Sequence, residues 1–524
     1  MTTRPRPSRS PSPPAKHPRL ASPHPTASSS SSAAPNTKAR PAAEHTLSYP
    51  PRDGGARGGA ALQQPVPLVS WSYVSTPIDA PRTPSSPLPS PSGSREPEPD
   101  APEKTAPAPR RKRVQHFTPA SLRVLASPRP PPGTDLNYGY ARWVPRAECR
   151  TRLDGLLRAL LRDEVRRGLG GTGTGTGVGR GVVAWRGVMT KIMTAPYDTR
   201  ANDGFALNVM RRGGTLFLEE HLTGERLKEK GNMEESHRKQ SYYGYAFESW
   251  STRAVAEDSE PASNTSTAGQ EGDAPPGWGG DVDNHDQWVV LVKTRLGPTR
   301  LLLAGEVDCS TTPTFTSLST LVELKTSLTI HSARDRANFE KKLLRIWAQS
   351  VLLGVPRVRV GFRTRDGRLS AVEDFKTGEI PRAVRGGGGG WDAQAALGWG
   401  ARVLALLEAA VPEGDGVWRA AFVPGRGVSV RALGAEEVAD VREDPAGTAE
   451  EAGVERVGFL PKWFWDAVEE RDLCDSEGRV GVVAETLTGI AGTGPAGAPG
   501  AVRDAASAGA SVSRAARIPP GWQI

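Results

Sequence analysis

Residues 301–327 contain two short apolar runs that carry charged side chains at alternate positions. The first run holds Glu306 and Asp308, and the second holds Glu323 and Lys325. Because side chains two apart on a β-strand project to the same side, each run predicts a strand with a charged pair on one face and aliphatic residues on the other. Three carboxylates and a lysine on two such strands are a suitable set for a hard divalent cation such as Mg²⁺. The alternative is a solvent-exposed sheet face, which the same short patterns also produce.

One helix is predicted before these runs and one after them. Residues 337–354 have an apolar stripe at helical spacing that ends at Gly354. Gln349 lies close to this stripe, where a buried amide needs a hydrogen-bond partner. Residues 147–167 carry leucines at helical spacing and predict an amphipathic helix.

Strands and turns account for most of the remaining folded sequence. Residues 182–198 predict a strand and a turn that carry Arg186. Apolar and polar residues alternate on both sides of Gly213-Gly214 and of Asp366-Gly367, which predicts two β-hairpins. Further helices are predicted over residues 391–411 and 459–470.

The first 113 residues differ in composition from the rest of the chain. They are rich in Pro, Ser, Ala and Arg, and they contain 16 Lys and Arg against 7 Asp and Glu. Since the whole chain has a net charge of +9, residues 114–524 are neutral overall. We therefore predict a disordered basic tail over residues 1–113, a folded domain over 114–487 and a disordered tail over 488–524. Gly-rich and polar segments predict insertions in the domain near residues 168–181, 254–286 and 384–390.

The basic cluster Arg110-Arg111-Lys112-Arg113 indicates nuclear localisation or a weak attraction to nucleic acid, and a solvated linker is the alternative. The N-terminus has no apolar signal segment, and no apolar run is long enough to cross a bilayer. Three scattered cysteines favour a reducing compartment. We therefore expect a nuclear protein that has no membrane partner. The absence of a Gly-Lys dipeptide, of His-Glu-x-x-His and of Gly-x-Ser-x-Gly removes the main support for an ATPase, a zinc protease or a serine hydrolase.

Five motifs follow one another in the order WRGVMTKIMTAPYD with Arg186, GYAFE with Glu248, GEVDC with Glu306 and Asp308, VELKTS with Glu323 and Lys325, and WAQSVLLGVPRVRVGFR with Gln349. As an ordered set, they resemble the DXO-like family of RNA 5′-end decapping enzymes and exoribonucleases. That family includes the fungal protein that partners the nuclear 5′–3′ exoribonuclease. The resemblance covers roughly residues 135–376, with a looser match to about residue 470.

The resemblance implies a mixed α/β fold, with a two-sheet core similar to that of the PD-(D/E)xK nucleases and with flanking helices. It also implies a site for two divalent cations, either Mg²⁺ or Mn²⁺. The implied ligands are Glu248, Asp308, Glu323 and the backbone carbonyl of Leu324. The residues that it assigns to catalysis and to substrate binding are Arg186, Glu306, Lys325 and Gln349.

The chemistry of these residue types agrees with the implied roles. Glu306 would bind the second ion through water or contact the substrate, and Arg186 would bind a nucleotide phosphate. Two metal ions stabilise both the attacking and the leaving oxygens of a phosphate. Lys325 and Gln349 would position the scissile phosphate and the attacking water, and Lys325 adds positive charge where the transition state gains negative charge.

Each assignment has a structural alternative. Arg186 could pair with an acid at a strand end, Gln349 could be a satisfied core amide, and Glu248 could cap a sheet edge. Cys309 is expected to be buried beside the site. On the following strand, arginines alternate with apolar residues. These arginines either line an RNA path or form a solvated face, and they are Arg357, Arg359 and Arg363.

The main functional hypothesis is a Mg²⁺- or Mn²⁺-dependent hydrolase that removes triphosphate, unmethylated-cap or NAD-cap ends from RNA. The alternative is a mainly non-catalytic partner that stabilises the nuclear 5′–3′ exoribonuclease. A DNA endonuclease with the same core would explain neither Arg186 nor the helix that carries Gln349. Ala246 stands where the family commonly has a lysine, and Ser241 stands near the place of a further acidic residue, so the preferred 5′ end stays open.

Overall fold

The computed structural model describes seven segments of the chain, which all belong to one compact unit. The described segments are residues 44–48, 60–77, 111–162, 181–255, 274–387, 390–443 and 453–476. Most of the predicted insertions at 168–181 and 254–286, and the predicted C-terminal tail at 488–524, lie outside these segments.

A mixed ten-stranded sheet is the largest element of the described structure. Its strands, in order across the sheet, are β1 (His45–Ser48), β16 (Gly427–Ala432), β15 (Trp418–Val423), β6 (Phe205–Arg212), β7 (Thr215–Glu220), β5 (Gly181–Trp185), β10 (Thr299–Glu306), β9 (Gln287–Leu296), β2 (Val66–Pro77) and β3 (Arg111–His116). At its centre, β5 runs parallel to both β7 and β10, and the other neighbours are antiparallel.

A second, six-stranded sheet lies against the first. Its strands, in order, are β14 (Leu369–Lys376), β13 (Arg357–Arg363), β12 (Leu321–Leu328), β11 (Cys309–Ser310), β4 (Arg123–Leu125) and β8 (Thr252–Ala254). β12 and β13 are parallel, as are β11 and β4. A short pair, β17 (Arg456–Val457) and β18 (Leu460–Pro461), stands apart from both sheets.

The described segments contain nine α-helices. They are α1 (Asp154–Leu161), α2 (Arg186–Thr194), α3 (Gly224–Gly231), α4 (Glu235–Ser251), α5 (Ala333–Leu353), α6 (Ile380–Gly386), α7 (Ala393–Ala410), α8 (Ala435–Arg442) and α9 (Lys462–Ser476). No helix in these segments is long and apolar enough to span a bilayer.

The core is layered because the central strands are apolar on both faces. On β10, Leu301 and Leu303 pack with α2, α5 and α7, whereas Leu302 and Ala304 pack on the opposite face with α1 and α9. A strand buried on both faces reads as a continuous apolar run rather than an alternating one. A third cluster lies on the outer face of the second sheet, where the aromatic residues of α4 cover β12.

Residues 1–113 are not all tail. β2 is inserted between β9 and β3, and Trp71 on it is completely buried. β1 pairs with β16, and β3 begins at Arg111. Long Pro- and Ser-rich spacers dominate the average composition of this region and mask the alternation of Val69, Trp71 and Tyr73 with serines. The predicted domain start at residue 114 is therefore wrong for these strands.

Three local predictions also need correction. The helix predicted over 147–167 begins only at Asp154, because the residues before it are in extended or irregular backbone. Arg186 starts helix α2 instead of lying in a turn. Glu306 and Asp308 do not share one strand, since β10 ends at Glu306 and the chain then crosses to the other sheet.

The two hairpins and three further helices are predicted correctly, whereas the predicted insertion at 384–390 overlaps the end of helix α6. Both hairpins form, and Gly213, Gly214 and Gly367 take the positive φ angles that their turns require. The helix predicted to end at Gly354 ends there, with Gly354 in the left-handed region. Helices are also present where residues 391–411 and 459–470 predict them.

Candidate active site

The crossover between the two sheets brings the two charged pairs together. β10 delivers Glu306, the chain turns through Asp308, and Cys309 pairs with Val322 at the start of β12. Asp308 accepts a hydrogen bond of 2.6 Å from the backbone N–H of Leu324. This bond fixes the Asp308 carboxylate against β12, so that residues from different sheets share one site.

Lys325 is held between two of the predicted ligands. Its Nζ lies 2.8 Å from Glu323 Oε1 and 3.2 Å from Asp308 Oδ2, and it donates to the carbonyl oxygen of Leu324 at 2.9 Å. Arg186 Nη1 donates to the other Glu323 oxygen at 3.1 Å. Two cations therefore balance the fully buried carboxylate of Glu323.

The acidic groups of the site differ in pKa because their neighbours differ in charge. Burial favours a higher pKa for Glu323, but the nearby Arg186 and Lys325 outweigh it and lower the pKa to about 2. Burial and then the charge of Asp308 raise the pKa of Glu248 well above its usual range. Burial alone would lower the pKa of Lys325, but Asp308, Glu323 and Glu248 outweigh it and raise the pKa, so this ammonium stays charged.

Two helices supply the remaining predicted residues. Glu248 lies on α4 and interacts electrostatically with Asp308 and Lys325. Gln349 lies on α5 and lines the same cavity as Arg186 and Glu306. Arg186 can approach β10 because residue 305 is a glycine: a Cβ there would stand 3.0 Å from the Cβ of Arg186.

The donor set suits a divalent cation. Asp308, Glu323 and the Leu324 carbonyl offer hard oxygen atoms, and Glu323 Oε1 is buried without a well-directed hydrogen bond. Among the described residues, however, no three acidic, histidine or cysteine side chains gather at coordinating distance around one point. The point nearest to these oxygens is taken by the Lys325 ammonium. The residues thus fit a metal ion in donor type, and the charge of Asp308 acts on Glu248 as a further nearby carboxylate.

Two residues of the site were missed by the sequence reasoning. Arg113 packs its guanidinium 3.6 Å above the Tyr73 ring and donates to Gln287 Oε1 and to the carbonyl of His285. Gln287 in turn donates from Nε2 to Glu306 Oε2 at 2.9 Å. The alternation around Tyr73 is the signal that the sequence offers, since Arg113 itself belongs to a basic cluster typical of a tail.

Two of the three strand arginines that were predicted either to line an RNA path or to lie on a solvated face do neither, while Arg357 is only partly buried. Arg359 is buried and pairs with Asp374 at 2.7 Å, and Arg363 is buried and packs over the ring of Tyr243. Both belong to the packing between β13 and its neighbours. Cys309 is fully buried, as predicted.

A family model described as RAI1 like PD-(D/E)XK nuclease matches residues 109–465. The chain belongs to this family. It is 33% identical over 408 residues to the decapping nuclease RAI1 of Mycosarcoma maydis, an alignment that covers 65% of this chain and 79% of the relative. It is 31% identical to the decapping and exoribonuclease protein of Homo sapiens, over 68% of this chain and 83% of the relative.

A solved structure of the same family supports the fold. The crystal structure of Scheffersomyces stipitis Rai1 in complex with (3′-NADP)⁺ and a calcium ion matches with a TM-score of 0.60 and 25% identity, over 81% of this chain and 99% of that one. The predicted mixed α/β fold of the PD-(D/E)XK class is confirmed, as is the prediction that the chain is a hydrolytic nuclease. The predicted divalent-cation cofactor is confirmed at the level of this RAI1-like family.

Proposed function

We propose that this chain is a divalent-metal-dependent hydrolase that removes 5′ ends from RNA. The observation that carries the proposal is the arrangement of Asp308, Glu323 and Lys325 at the crossover between the two sheets, with Arg186 bound to Glu323. Membership of the RAI1-like nuclease family supports it, because relatives in that family are named decapping nucleases.

Each side chain has a role that follows from its position. Asp308, Glu323 and the Leu324 carbonyl would hold the cation, with Glu248 completing the acidic set. When bound, a divalent cation acidifies a water and draws charge from the phosphate.

Lys325 carries a permanent positive charge at the same point and is suited to stabilise the charge that develops on phosphate oxygens. Arg186 and Gln349 line the adjoining cavity, where a phosphate and the attacking water would be oriented. Glu306, which also lines that cavity, would contact the substrate or a second ion.

Finer aspects of the function rest on the family resemblance. We infer that the substrates are RNAs with triphosphate, unmethylated-cap or NAD-cap ends, and that the protein acts in nuclear RNA quality control beside the 5′–3′ exoribonuclease. Arg113 of the basic cluster at residues 110–113 is buried and bound at the cleft, so the proposed nuclear location is drawn from the family resemblance.

One observation favours the alternative of a mainly non-catalytic partner. Lys325 and Arg186 neutralise Glu323, and three carboxylates do not meet at one point within the described residues. A protein of this kind would stabilise the exoribonuclease without needing a metal. Both functions can also reside in one chain.

The test uses internally labelled RNAs that carry triphosphate, unmethylated-cap, methylated-cap, NAD-cap or monophosphate 5′ ends. Each RNA is incubated with Mg²⁺, Mn²⁺ or EDTA and with the wild type, Lys325→Met, or the Asp308→Ala/Glu323→Ala double variant. We expect metal-dependent release of the 5′ group by the wild type, a reduction of kcat by about 100-fold or more in Lys325→Met, and no release by the double variant.

Glu379→Gln is the matched control, because Glu379 is an exposed acid that pairs only with Lys376 within the described residues. It should cleave like the wild type. No cleavage of any RNA by folded wild-type protein would overturn the enzymatic proposal. Thermal stabilisation of the purified 5′–3′ exoribonuclease by the full-length wild-type chain would then support the partner function.

A further inference from the structure

Two cavities meet at the candidate active site. The first has a volume of about 280 Å³ and contains Arg186 and Gln349, and the second has a volume of about 520 Å³. Glu306 and Gln287 line both of them, so the carboxylate stands at their junction. A substrate that spans this junction has one part in each cavity.

The two cavities differ in chemistry. The first is lined by several arginines, among them Arg113, Arg150 and Arg186, and so suits a phosphate-rich group. The second has an aromatic wall formed by Trp143 and Tyr245. None of the motifs that identified the family contains Trp143, and the proposed catalytic chemistry does not use it.

The indole of Trp143 is held in place before any ligand binds. Its ring centroid lies 5.4 Å from that of Tyr242 and 5.9 Å from those of Tyr140 and Tyr245. Its Nε1–H donates to the side-chain oxygen of Asn284. The residue remains only partly buried, and its accessible part lines the second cavity. A rigid aromatic surface loses little conformational entropy when a flat ligand stacks on it.

Cations line the same cavity. Lys230 and Arg238 are in its wall, as is Arg146, which also lines the first cavity. The side chain of Lys230 is 45% exposed although Glu148 lies 3.9 Å away. Aromatic side chains together with a basic rim are the usual elements of a site for single-stranded nucleic acid, where bases stack and phosphates meet cations.

We propose that the second cavity binds the single-stranded part of the RNA substrate next to the scissile bond, with a nucleobase stacked on Trp143 and its phosphates near Arg146, Lys230 and Arg238. This inference rests on the proposed function and deepens it, because it assigns the arginine-rich cavity to the 5′ group and the aromatic cavity to the RNA body. Stacking does not depend on base identity, so the site accepts any sequence.

The experiment measures stacking directly. Triphosphate RNAs with 2-aminopurine at one of the first four positions are titrated with protein in Ca²⁺, and the RNA is checked for integrity on a gel. The proteins are the wild type, Trp143→Phe, Trp143→Leu and Trp465→Leu, the last of which alters a tryptophan on α9 that lines neither cavity. Near-ultraviolet circular dichroism and thermal unfolding establish that each variant is folded.

With the wild type, we expect fluorescence quenching at one or two adjacent positions. Trp143→Leu should lose this quenching and bind the RNA roughly 5- to 150-fold more weakly, whereas Trp143→Phe retains most of both and Trp465→Leu matches the wild type. Arg238→Gln should reduce the slope of log K against log salt by about 0.7 without moving the quenched position.

Equal quenching by the wild type and Trp143→Leu, or RNA binding without quenching at any position, would overturn the inference. A failure of the proposed function has a different signature. In that case the wild type binds and quenches the RNA as expected but cleaves none of the 5′ ends in Mg²⁺ or Mn²⁺, and the stacking site stands without the hydrolase.

Discussion

At the scale of single residues, the site is governed by which group neutralises which. Glu323 is fully buried and is contacted by Arg186 and Lys325, while Asp308 shares Lys325 and a backbone amide. These contacts explain why a buried carboxylate can stay ionised. The residue types were evident from the sequence, but their pairing was not.

Glu306 is oriented by a relay that begins in β3. Arg113 binds the side-chain oxygen of Gln287, which turns the amide nitrogen of Gln287 toward Glu306. Without the guanidinium, that amide is free to rotate and present its oxygen to the carboxylate. Arg113 is thus a positioning residue for the site.

We expect Gln287→Met and Arg113→Met each to reduce kcat/KM for RNA cleavage by about 10- to 100-fold. The double variant should have the same kcat/KM as the less active of the two single variants. The shared relay makes the two effects non-additive. The measurement is a double-mutant cycle of cleavage rates at several Mg²⁺ concentrations. Arg129→Met is the control, because Arg129 pairs with Asp374 and lines neither cavity. Fully additive losses would contradict the relay.

At the scale of elements, the main event is the passage of the chain from one sheet to the other between Glu306 and Cys309. A period-two pattern across these residues predicts one continuous strand, and it cannot show that the partner strand changes midway. Similarly, the apolar run that ends at Trp185 does not reveal that a helix begins at Arg186. Both changes are imposed by what packs against the backbone.

β2 is the element that the composition most misrepresents. Trp71 on this strand is completely buried and contacts the rings of Phe117 and Trp185. Trp185 directly precedes Arg186, so β2 also supports the strand that delivers an active-site residue.

We expect Trp71→Ala to lower the free energy of unfolding by about 3–5 kcal/mol, because it removes a fully buried aromatic side chain and leaves a cavity. Urea unfolding followed by circular dichroism measures the change. Val66→Ala on the same strand is the control, since Val66 is 44% exposed and its truncation should cost within about 0.5 kcal/mol. Identical unfolding curves for Trp71→Ala and the wild type would mean that the strand does not contribute to the fold.

At the scale of the whole molecule, segments that are distant in sequence pack together around buried charged side chains. Arg150 donates to backbone carbonyls at Leu222 and Asp440, and His221 lies close to this arginine and to Arg419. Burial first, and then these two guanidinium groups, lower the pKa of His221 to about 4. The fold therefore favours the neutral imidazole.

The unfolded chain protonates His221 below about pH 6.5, whereas the folded chain resists protonation down to about pH 4. The stability contributed by His221 is thus present above pH 6.5 and is lost as the pH falls toward 4. We expect His221→Gln to remove about 1–3 kcal/mol of the acid destabilisation between these values. The measurement compares urea unfolding of the two proteins at pH 7, 6, 5 and 4.

Glu219 acts in the opposite direction. Burial raises its pKa to about 7, so its protonation on acidification favours the folded chain. Because Glu219 is present in both proteins, the difference between their curves isolates His221. Parallel curves across the whole range would contradict the assignment.

The sequence by itself determined the local features whose cause is local. Glycine positions predict the turns at Gly213-Gly214 and Asp366-Gly367, helical spacing predicts α5 and its end at Gly354, and the charged runs predict which side chains carry the chemistry. Such features depend on backbone sterics and side-chain periodicity within a few residues.

Only the tertiary structure decided what depends on contacts between distant segments. It placed Trp71 and Arg113, from a region with the composition of a tail, in the main sheet and at the cleft. It also paired Arg186 with Glu323 across 137 positions of sequence. Burial and charge pairing are properties of the assembled core, and their free energies depend on neighbours that no short window of sequence contains.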